Sequence, residues 1–343
     1  MTTSTSSTPA TTSHAVPLII DGLNCASVNR EQYLRTRAGR IDALNLTIVH
    51  PWDGYEKSMS SLAGTLKFVA ENPDLCAMVT SVAQMDAARA AGRIGIIMGA
   101  QNSMFVENDL NLLSVCQRLG MRIMQPTYME QNKLGCGVVA QPDTGLTELG
   151  RQWVVRMNEL RMLIDLSHVG YMTAADVIAA SKRPLIVSHG NALGLCNSPR
   201  NIPDSQIKGV AEKGGVVGCT FFSPMLRHDR RPAIDDWASH VLYMLKLVGE
   251  DHVGFSSDLS EGGVYTSAEQ WDKSFGPNGL YPTVTGTLGA WYTYEDRRPI
   301  GFQSLVSTPD LITLMGRRGV AASVIDKVMG GNWRRVYREV WGE

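Results

Sequence analysis

The sequence predicts a (β/α)8 barrel, in which eight parallel strands alternate with helices around a closed core. Eight short apolar segments recur along the 343-residue chain, and most are followed by a segment with helical periodicity. Polar side chains follow many of these segments, as they do at the carboxyl ends of barrel strands. A doubly wound sheet is disfavoured because no Gly-x-Gly-x-x-Gly motif follows the first apolar segment.

The predicted strands of the first half are separated by turn signals. Pro51 follows the second strand and Pro126 follows the fourth, and proline disfavours continuation of the preceding backbone. Core strands are predicted over residues 16–20, 44–49, 93–98 and 122–125, with a shorter extended run at 76–81. Helices are predicted over residues 61–71, 85–91, 109–119 and 147–160.

The fifth and sixth predicted strands both end in Ser-His. Leu163 begins one apolar run that ends at His168, and Pro184 begins a second that ends at His189, with a predicted helix between them. The carboxyl ends of parallel barrel strands share one face, so the two imidazoles should lie close together. Such a pair could hold a metal ion or transfer protons. The alternative is that each histidine only caps its strand in a loop.

The last elements complete a single predicted domain. Strands are predicted over residues 216–222 and 252–256, and helices over 204–213 and 234–248. A stretch rich in Gly, Tyr, Trp and Pro at 259–298 predicts a long loop or lid over the strand ends. Residues 308–341 predict two or three extra helices packed outside the barrel. We expect one domain over 16–343 after a disordered, Ser/Thr-rich tail at 1–15.

Composition and charge exclude several classes of protein. The net charge of −1 gives no reason to expect binding to nucleic acid or to an acidic membrane surface. No apolar run reaches the roughly 18 residues that a membrane-spanning helix needs. The start of the chain lacks the basic and apolar regions of a secretory signal, and the six cysteines form no Cys-x-x-Cys pair. We therefore expect a cytoplasmic protein with free thiols.

Five motifs taken together resemble the membrane dipeptidase family (peptidase family M19, which includes renal dipeptidase). They are Asp165-Leu166-Ser167-His168-Val169, Ser188-His189, Arg200-Asn201-Ile202-Pro203-Asp204, His252-Val253-Gly254 with the following Asp258, and Gly330-Gly331-Asn332-Trp333. Their order and spacing match the family from about Val16 to the end of the chain. The resemblance implies a metal-dependent hydrolase of the amidohydrolase-type TIM barrel, a homodimer, and cleavage of dipeptides at a two-zinc site.

The resemblance assigns roles to four retained residues. His168 and His189 match the two histidines that hold the second zinc in the family. Asp258 matches the general base beside the metal. Arg200 matches the arginine that holds a substrate carboxylate, a task that suits a guanidinium because it can donate two parallel hydrogen bonds. The expected partner is therefore a small molecule that carries a carboxylate.

Three zinc ligands and one catalytic histidine of the family are missing. Leu23 and Cys25 stand where the family has His-x-Asp, and Gln101 stands at the bridging glutamate. A leucine cannot bind a metal, whereas a cysteine thiolate could act as a surrogate ligand. Tyr128 stands at the histidine that polarises the substrate carbonyl, where a phenol could still donate to an oxyanion. The sequence thus predicts one Zn²⁺ at most, on the two retained histidines, or none.

Three functions remain open at this point. The first is hydrolysis of an amide-type bond by a water molecule on one zinc ion, with Asp258 as general base. The second is metal-independent lyase, isomerase or dehydratase chemistry, in which the retained histidines, Asp258 and Tyr128 transfer protons. The third is a relative that only binds a ligand. Efficient two-zinc hydrolysis of dipeptides is the outcome least compatible with the missing ligands.

Overall fold

The computed structural model of the protein describes three parts of the chain, residues 16–262, 267–285 and 292–343. The predicted tail at 1–15 lies outside these described residues. So do two short parts of the predicted lid, at 263–266 and 286–291.

Nine parallel strands lie within the described residues, and eight of them form a closed barrel. They are β1 (Ile20–Asn24), β2 (Ala43–Val49), β3 (Cys76–Met78), β4 (Ile94–Ala100), β5 (Met121–Met124), β6 (Leu163–Ile164), β7 (Ile186–Val187), β8 (Val216–Cys219) and β9 (Val253–Phe255). Strands β1, β2, β4, β5 and β6 pair in that order, and β7, β8 and β9 form a second group. Parallel bridges from Asp165 to Ile186 and from Asn24 to Leu259 join the two groups. The short β3 pairs with β4 in addition.

Helices connect successive strands and cover the outside of the barrel. They are α1 (Arg30–Ala38), α2 (Tyr55–Glu71), α3 (Val82–Ala90), α4 (Leu112–Arg118), α5 (Glu148–Glu159), α6 (Tyr171–Ala180), α7 (Asp204–Glu212), α8 (Ile234–Val248), α9 (Ala268–Phe275), α10 (Pro282–Thr285), α11 (Thr308–Arg317), α12 (Ala322–Asp326) and α13 (Asn332–Trp341). The apolar faces of α5 and α8 bury Trp153 and Trp237 against the strands. None of the helices in the described ranges is long and apolar enough to cross a bilayer.

Two elements at the start of the chain differ from the prediction. Strand β1 continues through Asp21 to Asn24. The prediction places both residues in a loop because they are polar. Both side chains are buried because Asn24 and Ser257 donate hydrogen bonds to the Asp21 carboxyl group inside the barrel. Helix α1 is missing from the prediction because most of its residues are polar. Only its N-cap marks the start, where the Asn29 side chain accepts from the backbone N–H of Gln32.

Helix α13 closes the amino-terminal opening of the barrel, so its predicted position outside the barrel is wrong. It shares an apolar cluster with one residue from each of seven strands, namely Ile20, Ala43, Ile97, Ile123, Leu163, Ile186 and Val216. Trp333 of α13 is fully buried and donates from its indole N–H to the carbonyl oxygen of Phe255 at 2.9 Å. Gly22 and Gly254 make room for this ring, because a Cβ at either position would lie within 2.6 Å of it.

The predicted lid segment contains helices as well as loop. Helices α9 and α10 lie in it, and Trp271 and Phe275 of α9 form an apolar cluster with Tyr128 and Tyr281. Since Tyr128 follows β5, this cluster ties the segment to the carboxyl-terminal end of the barrel.

Candidate active site

A cavity of about 650 Å³ opens at the carboxyl-terminal end of the barrel. Residues from the loops after all eight barrel strands line it, among them Cys25 after β1, Gln101 after β4, Tyr128 after β5, His168 after β6, Arg200 after β7 and Asp258 after β9. The structure therefore brings together five of the six predicted site residues, and Gln101 with them. The sixth, His189, stands next to the cavity without lining it.

The two predicted histidines hydrogen-bond to each other, and only His168 lines the cavity. His189 is fully buried, and the two Nε2 atoms are 2.7 Å apart. Ser188 Oγ lies 2.8 Å from His189 Nδ1 and donates to the Asp165 carboxylate at 2.6 Å. Since a hydroxyl has one hydrogen, His189 must donate from Nδ1 to Ser188, and its Nε2 then accepts from His168. A directed chain of hydrogen bonds thus runs from the cavity to Asp165.

The local backbone holds His168 in a conformation that non-glycine residues rarely adopt, with φ at 66°. Ser167 anchors this turn, because its backbone N–H and its hydroxyl donate to Asp165 Oδ1 at 3.0 and 2.8 Å. The same buried carboxylate accepts from the backbone N–H of Ser188 and from the Gln125 amide, at 2.8 and 2.7 Å. A left-handed residue costs on the order of 1–2 kcal/mol. The anchored aspartate offsets this cost and orients His168.

Asp258 is held by a second copy of this arrangement, with φ at 51°. The preceding Ser257 donates from its backbone N–H and its hydroxyl to the buried Asp21, at 2.7 and 2.5 Å. The backbone N–H of Asp258 donates to the carbonyl oxygen of Leu23 at 3.0 Å, which fixes the turn against β1. Both His168 and Asp258 therefore follow a serine that is anchored on a buried aspartate. Strained backbone of this kind is frequent at functional sites.

Arg200 places a buried cation at the cavity. Its side chain is 3% exposed and lines the cavity. Within the described residues, the guanidinium has neither a hydrogen-bond acceptor nor a salt-bridge partner; only its backbone N–H bonds, to Ser198. Burial lowers the pKa of Arg200, and the Asp258 carboxylate opposes this shift. A buried guanidinium without a partner is suited to bind an anion.

Burial changes the pKa of the other groups at the cavity. It raises the pKa of Asp258 to about 7; the Arg200 guanidinium opposes this shift and the Asp21 carboxyl adds to it. Burial lowers the pKa of His168 well below its usual value, and the positive charge of Arg200 contributes. The pKa of His189 is lowered for the same two reasons. At neutral pH both histidines are therefore uncharged, while Asp258 is close to half-ionised.

The positions of the missing zinc ligands hold groups that do not suit a metal. Gln101 donates from Nε2 to Cys25 Sγ at 3.3 Å. Burial and then the nearby Asp258 carboxylate raise the pKa of the Cys25 thiol well above its usual value, which disfavours the thiolate that binds metals. Leu23 is buried in β1. These residues do not fit the family's two-zinc centre.

A single zinc ion on His168 and His189 stays a prediction. The two imidazoles converge, but catalytic zinc usually has three protein ligands. Among the residues that the structure describes, no group of three or more His, Cys, Asp or Glu side chains could hold a metal ion. The Nε2 lone pair of His189 is also already occupied by His168.

Aromatic side chains border the same cavity, and they are absent from the sequence-based prediction of the site. Phe222, Trp271 and Phe275, here called the aromatic wall, all line it. The ring centroids of Trp271 and Phe275 are 4.6 Å apart, and those of Phe222 and Trp271 are 5.7 Å apart. Tyr128 stands beside this wall with its ring 4.1 Å from that of His168. The aromatic-rich composition of residues 259–298 is a signal for Trp271 and Phe275, whereas Phe222 lies outside this stretch.

Known proteins share both the sequence and the fold of this chain. A model of the membrane dipeptidase family (peptidase family M19) matches residues 20–275. An uncharacterised protein in the pqqA 5′ region of Klebsiella pneumoniae is 27% identical over 301 residues, which cover 85% of this chain and 98% of that protein. A crystal structure of an amidohydrolase from Pseudomonas aeruginosa superposes with a TM-score of 0.85 at 33% identity, covering 95% of this chain and 97% of that one.

A second solved structure, with lower sequence identity, shows similarity in the fold alone. It is a metallopeptidase from Rhodobacter sphaeroides, solved with a phosphinate mimic of the dipeptide L-Ala-D-Ala, with a TM-score of 0.78 at 22% identity over 95% of this chain and 100% of that one. The family match spans most of the chain, and the described barrel superposes on both of these solved structures. This chain therefore belongs to the membrane dipeptidase family of hydrolases.

Proposed function

We propose that this protein hydrolyses an amide-type bond in a small substrate that carries a carboxylate. The observation that carries the proposal is the buried guanidinium of Arg200, which lines the cavity and donates no side-chain hydrogen bond to any described residue. Burying a cation without hydrogen-bond acceptors costs several kcal/mol. A substrate carboxylate would remove that cost by accepting two charge-assisted hydrogen bonds from Arg200. The 33% identity with an amidohydrolase over nearly the whole chain supports the amide-type bond.

Asp258 acts as the general base in this proposal. Its carboxylate takes one proton from a water molecule as the water oxygen bonds to the carbonyl carbon of the substrate. The C–N bond then breaks, and the protonated Asp258 returns the proton to the leaving nitrogen. A pKa of about 7 suits both steps, because the group accepts and releases a proton near neutral pH.

Tyr128 and His168 complete the proposed site. Both line the cavity beside Arg200 and Asp258. The Tyr128 hydroxyl donates to the oxyanion that develops on the substrate carbonyl. His168 is uncharged and held by His189, so we assign it to orienting the substrate beside Tyr128.

A matched pair of compounds tests the role of Arg200. We expect 3-phenylpropanoylglycine to be bound and hydrolysed, and its neutral counterpart 3-phenylpropanoylglycinamide to bind at least tenfold more weakly. Arg200→Ala should weaken binding of the acid by about 2–3 kcal/mol and abolish the preference, because a charge-assisted pair is lost. The variant Arg317→Ala, which changes an exposed residue, serves as the control and should keep the preference for the acid. Equal affinity of the wild-type protein for acid and amide would refute the carboxylate site.

The second candidate, lyase or isomerase chemistry without a metal, uses the same groups. It is favoured by the loss of the two-zinc ligands while a base near pKa 7 is retained. Identification of the products distinguishes hydrolysis from lyase or isomerase chemistry. A cleaved amide bond supports hydrolysis, whereas deuterium uptake at carbon from heavy water without amide cleavage supports proton transfer at carbon.

A further inference from the structure

We infer that the substrate is an N-acyl amino acid with an apolar, preferably aromatic, acyl group, and that the cavity discriminates against free dipeptides. This inference rests on the proposed function, in which Arg200 binds the carboxylate of the substrate. It goes further by assigning the remainder of the cavity to an uncharged, apolar part of the molecule.

The first observation is the small number of charges at the cavity. Arg200 and Asp258 are the only Asp, Glu, Lys or Arg side chains that line it within the described residues. The stretches 263–266 and 286–291, outside the described residues, contain no Asp, Glu, Lys or Arg. Burial lowers the pKa of His50 at the cavity, so this imidazole also stays uncharged at neutral pH.

A free dipeptide would bring an ammonium group that this cavity cannot match. Arg200 is assigned to the substrate carboxylate, which leaves Asp258 as the one described group that could pair with a cation. Pairing with an ammonium would stabilise the ionised form of Asp258 and lower its basicity, which opposes its use as general base. Without such a pair, the ammonium would lose its hydration without compensation.

The second observation is the aromatic wall. Trp271 and Phe275 are 5% and 6% exposed, and their rings pack against each other and against Phe222 at tilted to near-perpendicular angles. Neighbours cover most of each ring, and the parts of Phe222, Trp271 and Phe275 that line the cavity are apolar. An apolar acyl group placed against these side chains loses contact with water, which favours its binding.

The third observation is a second aromatic element, which points to a flat group. His50 and Trp52 line the same cavity and stack with an interplanar angle of 7° and a centroid distance of 5.8 Å. Trp52 keeps 44% of its surface exposed in this arrangement. An exposed, parallel-stacked indole offers a flat surface on which an aromatic acyl group can stack.

The sharpest comparison uses two compounds that differ by one group. Phenylalanylglycine carries an α-ammonium, and 3-phenylpropanoylglycine has the same skeleton without it. We expect kcat/KM for the acyl compound to be at least tenfold higher at pH 6.5, where the ammonium is mostly charged. Dissociation constants from calorimetry should show the same order. Equal or better turnover and binding of phenylalanylglycine would overturn the inference.

The apolar part of the inference is tested with neighbouring residues. N-acetylglycine lacks the phenyl group, so the ratio of kcat/KM between 3-phenylpropanoylglycine and N-acetylglycine measures its contribution. Phe222→Leu, at the cavity, should reduce this ratio at least threefold. Phe221→Leu is the matched control, because Phe221 is buried against Trp237 and Phe302 instead of in the aromatic wall. A ratio that falls equally in both variants would count against the aromatic wall as the acyl site.

The outcomes separate this inference from the proposed function. If the glycinamide is rejected but phenylalanylglycine and the acyl compound behave alike, the carboxylate site stands and the N-acyl inference fails. If the glycinamide binds as well as the acid, the carboxylate site fails, and the N-acyl inference fails with it.

Discussion

The Nε2 atom of Gln101 lies 3.3 Å from the Sγ atom of Cys25, so the two side chains that the resemblance matches to zinc ligands of the family bond to each other. Neither carries the negative charge that a zinc pair needs, since one is an amide and burial keeps the other a thiol. The retained histidines bond to each other in the same manner. In this structure, the side chains at the positions that match the family's metal ligands therefore pair with each other.

Restoring the ligands should restore metal binding. We expect the triple variant Leu23→His, Cys25→Asp and Gln101→Glu to bind more zinc per chain than the wild-type protein, which should hold one ion at most. Elemental analysis after dialysis against a zinc buffer measures this difference. Cys25→Asp alone is the control and should gain little, because one carboxylate does not rebuild the set. Two zinc ions per wild-type chain would contradict our description of the site.

The activity should depend on pH through Asp258. Since the base must be deprotonated, kcat/KM should rise with pH and level off above about 7. Asp258→Asn should lower kcat roughly 100-fold or more and remove this dependence, because an amide cannot accept the proton. Asp21→Asn should move the midpoint to lower pH, since the Asp21 carboxyl raises the pKa of Asp258. A flat profile for the wild-type protein would exclude Asp258 as the base.

The Asp258 carboxyl group should also lower the free energy of unfolding at high pH. Its pKa is about 7 when folded and near 4 when unfolded, so between these values the folded chain holds a proton that the unfolded chain has released. Stability is therefore lost as pH rises from 4 to 7. Since Asp258 is partly exposed, we expect Asp258→Asn to raise the free energy of unfolding at pH 8 on the order of 2 kcal/mol.

Chemical denaturation at pH 8 and pH 4.5 measures this effect. The gain from Asp258→Asn should shrink at pH 4.5, where the wild-type carboxyl is protonated when folded. The exposed Asp326→Asn provides the control and should change stability little at either pH. A variant that is destabilised at pH 8 would show that Asp258 makes stabilising interactions in its ionised form.

Trp333 should be one of the largest single contributors to stability. It fills the amino-terminal end of the barrel and donates a hydrogen bond to Phe255. Trp333→Ala should cost about 3–5 kcal/mol through the cavity that it leaves. Trp52→Ala, which removes a 44% exposed ring, should cost far less. Urea unfolding of both variants tests the difference, and similar losses would contradict the role of α13 as the closure of the barrel.

Strand order, the barrel and most helices could be predicted from the chain alone. Short apolar runs alternate with amphipathic segments, and this pattern survives folding because each run is buried on both sides. His168 and Asp258 follow β6 and β9, as the apolar runs predict, whereas only the family resemblance pointed to Arg200, which lines the same cavity. The prediction failed where polar residues are part of a buried or regular element. It ended β1 before the buried Asp21, and it missed the polar helix α1.

The function of the individual groups was decided by contacts between residues far apart in the chain. The His168–His189–Ser188–Asp165 hydrogen bonds, the placing of Arg200 beside Asp258 and the aromatic wall all join segments that no local pattern connects. The pKa of Asp258 depends on burial and on charges at Arg200 and Asp21, which only the closed barrel brings together. The interaction energies between these groups depend on their distances and on the dielectric environment, and both are properties of the folded chain.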